Sequence, residues 1–215
     1  MTGTLYITGD PEADHLLNVD GTALLIGMLL DQQVPMEWAF AGPATLRARL
    51  GHLDATQIAA MDQESFVAVC CEKPAIHRFP ASMGRRIHEM CAALVADFGG
   101  RGEGVWDGVV TGAELYARLR TLPGYGEEKA RIFVALLGKR MGVQPDGWRD
   151  AAAKFFVQFP QQPLGQKLAR GEPLVAPGAS AAGDGAVTKA DAARIIEAVP
   201  VIEPRHERLA DAPGA

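Results

Sequence analysis

The stretch Leu119–Met141, LRTLPGYGEEKARIFVALLGKRM, leaves the chain little choice of local fold. Arg118, Leu119 and Arg120 end one helix, and Pro123 cannot continue it, because proline lacks the N–H and fixes φ. Gly124 and Gly126 permit backbone angles and close approaches that a side chain would block. A second helix begins at Glu127. Its residues Ala130, Phe133, Val134, Leu137 and Met141 recur at helical spacing and make one apolar face. Glu127 and Glu128 occupy its first turn and Lys139 and Arg140 its last, as the helix macrodipole favours. Two helices joined by a tight glycine hairpin are expected. Such a hairpin offers backbone N–H groups that suit a phosphate oxygen, but the same pattern also serves as a plain corner between helices.

The upstream segments read as further helices. Asp10 caps a short helix to Leu17, with Pro11 at its first position. Asp20 caps GTALLIGMLLDQQ, whose middle is apolar on all sides and belongs at the centre of a domain. It ends in Asp31-Gln32-Gln33-Val34-Pro35, where Pro35 breaks the pattern. Met36–Leu50 is a third helix with Trp38, Phe40 and Leu46 as core. Asp54 and Asp62 cap two short helices, ATQIAAM and QESFVAVCC. Lys73–Ser82 is a loop held by Pro74 and Pro80, and its His77, Arg78 and Phe79 either touch nucleic acid or pack on the domain. Met83–Phe98, capped by Ser82, is amphipathic, with Ile87, Met90, Cys91, Leu94, Val95 and Phe98 on one side. Gly99–Gly104 is a break, and Thr111 starts the helix that runs into the hairpin. With helix formers plentiful and aromatics at 7%, an all-α protein is expected.

Charge is the main objection to a nucleic-acid role, since the net value is −5. Its distribution weakens the objection. Residues 1–64 carry two Lys/Arg and nine Asp/Glu. Residues 115–141 carry Arg118, Arg120, Lys129, Arg131, Lys139 and Arg140 against Glu127 and Glu128, and 73–88 add Lys73, Arg78, Arg85 and Arg86 with His77 and His88. A local basic face can meet phosphates on an acidic protein; each run also fits a solvated helix face. Cys70, Cys71 and Cys91 form neither a disulfide framework nor a zinc pattern and are expected to be buried and inert. The N-terminal MTGTLYITGDPEAD lacks the pattern of a secretory signal, and the longest apolar run, Ala23–Leu30, is short of a membrane span. A cytoplasmic location with no membrane contact is expected.

LPGYGEEKA resembles the hairpin motif L-P-G-x-G-x-x-x-A of the HhH-GPD superfamily of base-excision DNA glycosylases, which includes endonuclease III, MutY and the alkyladenine glycosylases. A second segment, LLIGMLLDQQV, is similar to the family's apolar helix ending in a glutamine that fills the gap left by a flipped base; Gln33 matches that position, with Gln32 beside it. The resemblance covers roughly Asp10 to Ala153. It implies a helical HhH-GPD fold for residues 1–158 and, as partner, duplex DNA with a damaged or mispaired base. Gln32, Gln33, Leu122, Gly124, Tyr125, Gly126 and Lys129 would then face the DNA, and the protein would act as a monomer.

The resemblance also bears on catalysis. The family's aspartate follows the hairpin lysine position by eighteen residues; that position is Glu128 here, and the spacing leads to Asp146. The context is Pro145-Asp146-Gly147 in place of the family's V-D-T-H, and Asp150 is the alternative carboxylate. Such a group would stabilise the positive charge that builds on the sugar and activate a water. Glu128 in the lysine position, with Lys129 about 100° further round the helix, implies a monofunctional glycosylase without efficient lyase activity. No cysteine follows Cys91, so the iron–sulfur cluster of some members has no ligands and no metal centre is expected; a monovalent cation at the hairpin backbone is allowed. Residues 159–215 read as an extension, with a Pro/Gly/Ala/Ser-rich linker at 171–187, one helix at 188–198 and a disordered end. Two other functions fit the same residues: a catalytically inactive DNA-binding protein on this scaffold, and a helical interaction protein without a DNA role.

Overall fold

The computed structural model describes residues 3–156, with side chains as far as Ala152. The readings made for residues 159–215 lie outside these residues. The described chain is all-α: α1 (Pro11–Val19), α2 (Gly21–Leu30), α3 (Met36–Leu50), α4 (Ala55–Ala60), α5 (Gln63–Cys71), α6 (Pro80–Asp97), a 3-10 turn at Gly102–Val105, α7 (Gly112–Thr121), α8 (Glu127–Arg140) and α9 (Trp148–Phe156). Among them no single helix is long and apolar enough to cross a membrane.

Most helix starts are set by short polar side chains. Asp10, Asp20, Asp54, Asp62 and Thr111 each accept a backbone N–H from the first turn of the helix that follows, which satisfies donors that the helix itself cannot. α2 is the axis of the fold, with all ten of its residues buried. It packs against α1, α3, α6 and the 3-10 turn, while α4 and α5 lie on α6. α7, α8 and α9 pack on one another. The apolar face expected of α8 is buried, and Ile132, Ala135, Leu136 and Gly138 are buried as well, because α7 and α9 flank the helix on two further sides. At Gly138 the indole of Trp148 lies so close that a β-carbon would stand 2.4 Å from it.

Several boundaries differ from expectation. α2 stops at Leu30, so Asp31, Gln32 and Gln33 form a turn outside the helix. α6 begins at Pro80, with Phe79 and not Ser82 at the N-cap; proline's fixed φ suits the first helical position. Trp38 and Val95 are not core, at 41% and 39% exposed. Cys70 and Cys91 are buried, and burial pushes both thiols up to about 12, but Cys71 is exposed.

Candidate nucleic-acid interface

The hairpin is built as its glycines require. Leu122 ends α7 and is buried. Gly124 adopts φ +83°, and a β-carbon there would stand 2.3 Å from Leu29 Cδ1; only glycine combines that angle with that approach. Tyr125 turns inward. Its hydroxyl donates to Leu25 O at 2.8 Å, and its ring meets Phe133 edge-on with centroids 5.7 Å apart. Gly126 is exposed, with nothing within 4 Å of where a β-carbon would sit, and no side chain caps the first turn of α8.

The C-terminus of α2 lies beneath this hairpin. A helix end leaves its last carbonyls without helical partners, and here Lys129, from a distant segment, and the adjacent Gln32 supply them. Lys129 Nζ donates to Met28 O, and to Asp31 O at 3.2 Å. Gln32 Nε2 donates to Leu29 O at 2.7 Å and its backbone N–H to Leu30 O at 2.7 Å. His77 Nε2 lies 2.9 Å from Gln32 O. Because His77 Nδ1 accepts the N–H of Phe79 at 3.0 Å, Nε2 is the protonated nitrogen and donates. Arg86 Nη1 completes the set by donating to Gln32 Oε1 at 3.1 Å. The two sequence motifs and the 73–82 loop, far apart in the chain, thus meet at one turn.

That turn projects Gln33. It is exposed and takes φ +59°, alone among the described non-glycine residues in having a positive φ. Gln32 does not project, since both ends of its amide are held. Between the turn and the hairpin lies a cavity of about 340 Å³ lined by Met28, Asp31, Gln32, Gly124, Gly126, Glu127, Glu128, Lys129 and Ile132. Its carboxylates are Asp31, Glu127 and Glu128. Burial holds the Asp31 carboxyl above its usual range, and the nearby Lys129 ammonium opposes that shift.

The residues singled out from the sequence divide by placement. Gln33, Gly124 and Gly126 lie at the exposed surface. Leu122 and Tyr125 present only backbone to it, their side chains being core. Lys129 points into the protein, onto the α2 carbonyls. Asp146 pairs through its backbone with the start of α7: its carbonyl accepts from Gly112 N at 2.7 Å, and its N–H donates to Val110 O at 3.0 Å. Ten residues of α7 separate that point from the hairpin, about 15 Å at 1.5 Å per residue. Asp146 and Asp150 are exposed and do not line the cavity.

Much of the basic charge near the hairpin is structural. Arg118 pairs with Glu114 at 2.8 Å, and Arg131 reaches Ala151 O at 2.7 Å while stacking on Tyr116. Arg120 is the useful exception: it is exposed and donates to Tyr125 O at 3.3 Å, which brings a guanidinium to the hairpin. Arg120, Asp31, His77 and Arg86 were not marked as site residues by motif. The sequence pointed to them only by grouping, with Arg120, Arg86 and His77 in the two basic segments, His77 in a loop that could touch nucleic acid, and Asp31 next to Gln32. Among the described residues no cluster of three or more His, Cys, Asp or Glu could hold a metal. Comparison with family models, curated proteins and solved structures returns no match to this chain.

Proposed function

We propose that this protein is a base-excision DNA glycosylase of the HhH-GPD type, monofunctional, acting on duplex DNA with a damaged or mispaired base. One observation supports the reading: Lys129 and Tyr125 tie the glycine hairpin to the end of α2, so that the hairpin glycines and the turn that carries Gln33 border one cavity. In this reading the hairpin and Arg120 hold phosphates, Gln33 enters the gap in the stack, and the cavity takes the extruded base. A carboxylate, Asp146 or Asp150 by resemblance, supports the cationic sugar while water attacks. Lys129 is committed to the α2 carbonyls and is not placed for Schiff-base chemistry, so borohydride should trap no enzyme–DNA adduct.

A second reading, binding of lesion DNA without base removal, is favoured by the position of Asp146 and Asp150 outside the cavity. The deciding experiment incubates the full chain with duplexes carrying uracil, hypoxanthine, 3-methyladenine, 8-oxoguanine or a G·T mismatch, then applies hot alkali. An alkali-dependent cut, lost in Asp146→Asn or Asp150→Asn, supports the glycosylase with that carboxylate. A cut retained in both but lost in Asp31→Asn moves the role to the cavity. No cut, with salt-sensitive duplex binding retained, establishes the second reading.

A further inference from the structure

Beside Gln33 lies an aromatic ledge that the glycosylase reading does not use. Trp38, in the first turn of α3, and Phe79, at the N-cap of α6, are 41% and 46% exposed. His77 sits between them and is buried, its ring centroid 6.4 Å from that of Trp38 and 6.1 Å from that of Phe79. The indole N–H of Trp38 donates to Ala75 O at 3.3 Å, so the polar edge of the ring is satisfied. Arg78 is exposed and holds its guanidinium 5.3 Å from the Phe79 ring centroid. Through His77, which donates to Gln32 O, the ledge is tied to the turn that carries Gln33.

We infer that this ledge is a stacking site for an unpaired nucleobase of a single DNA strand, with Arg78 on the adjoining phosphate. The Trp38 ring, anchored through its N–H and part-exposed, suits a flat π-faced ligand, and Phe79 with Arg78 over its ring offers a second, cation-bearing partner; base–aromatic stacking with an arginine nearby is how single strands are held without sequence preference. An intact duplex keeps its base faces inside the stack, and the one base that the glycosylase reading extrudes goes to the cavity, so neither occupies the ledge. Two cations, Lys73 and Arg78, are exposed on the same loop; of the carboxylates nearby, Glu72 lies 3.8 Å from Arg49 and Glu37, next to Trp38, is exposed. The choice of nucleic acid over a peptide rests on the hairpin reading, and the test separates the two.

Trp38 reports directly, because the other two tryptophans, Trp106 and Trp148, are buried. A twelve-nucleotide oligothymidylate titrated into the full chain should quench Trp38 emission saturably, and Trp38→Leu should abolish the quench. Phe79→Leu should weaken binding about tenfold, as the loss of one stacking partner implies. Absence of quenching, or a Phe79→Leu affinity within about twofold of the parent, overturns the inference, since a single stacked ring is worth more than that. An emission shift that follows protein concentration and ignores the oligonucleotide also overturns it, by assigning the ledge to a second copy of the chain. Duplex binding is measured in parallel by anisotropy. Quenching without duplex binding refutes the hairpin reading and upholds the ledge; duplex binding without quenching refutes the ledge alone.

Discussion

Replacing Lys129 by Met separates two roles for this lysine: a contact to DNA, or a strut inside the protein. Methionine keeps the aliphatic length and removes the ammonium that bonds Met28 O and Asp31 O. Hydrogen bonds from a charged donor contribute about 1.5–3 kcal/mol each. Lys129 is only partly buried and the cavity beside it admits water, so the pair should be worth about 2–3 kcal/mol, at or just below the low end of that sum. In a chain of this size that lowers the melting temperature by about 5–10 °C. Urea unfolding monitored by far-UV circular dichroism reads the stability, and duplex titrations at several salt concentrations read the charge contacts. The strut predicts a lower urea midpoint, weaker duplex binding because the hairpin loosens on α2, and a salt slope close to the parent's. A phosphate contact predicts the reverse pattern: stability within about 0.5 kcal/mol and a slope reduced by about one. That second pattern would refute the reasoning.

The two hairpin glycines should behave oppositely. Gly126→Ala meets no neighbour within 4 Å and should leave thermal stability within about 0.5 kcal/mol, yet lower duplex affinity by crowding the phosphate. Gly124→Ala must hold a positive φ against Leu29 and should cost about 1–3 kcal/mol in urea unfolding. Tyr125→Phe keeps the ring contact with Phe133 and loses the bond to Leu25 O, a cost of about 1 kcal/mol by the same assay. Burial holds the His77 pKa below its ordinary value, and its Nδ1 must stay unprotonated to accept from Phe79. The unfolded chain therefore takes up this proton first, and the stability involved is fully present above about pH 6.5 and falls as pH drops from there toward the folded pKa. Asp31, with its pKa raised, acts in the opposite sense at lower pH, so urea midpoints between pH 7.5 and 5.5 should be compared in the parent and in His77→Gln. A fall common to both would locate the effect elsewhere.

The helices were legible because their starts are written in short polar residues and their faces in spacing. Asp10, Asp20, Asp54, Asp62 and Thr111 act on their own first turns, and local signals of that kind need no knowledge of the fold. The uninterrupted apolar run of α2 likewise required a central place. What spacing alone did not convey was the use of each polar group across long separations. Lys129 looks like a surface cation of an amphipathic helix until α2 ends beneath it with carbonyls to satisfy. Tyr125 looks like a hairpin tip until its hydroxyl is traced to Leu25, 100 residues away. Trp38 has the composition of a core residue, but its position is decided by what α3 packs on, and that is tertiary information. For Asp146, the family spacing identifies a residue, whereas its location follows from the pairing with Thr111.

Gln33 can also be considered as a matter of conformational preference. Its left-handed backbone costs an ordinary L-residue about 1–2 kcal/mol relative to the right-handed basin, and costs glycine almost nothing. Gln33→Gly should therefore make the protein harder to unfold, while leaving only bare backbone at the crest of the turn. Retaining glutamine there trades resistance to unfolding for a long, exposed amide at the crest of the turn. The turn beneath it, fastened by Lys129, His77 and Arg86, is what keeps that uncomfortable geometry from relaxing.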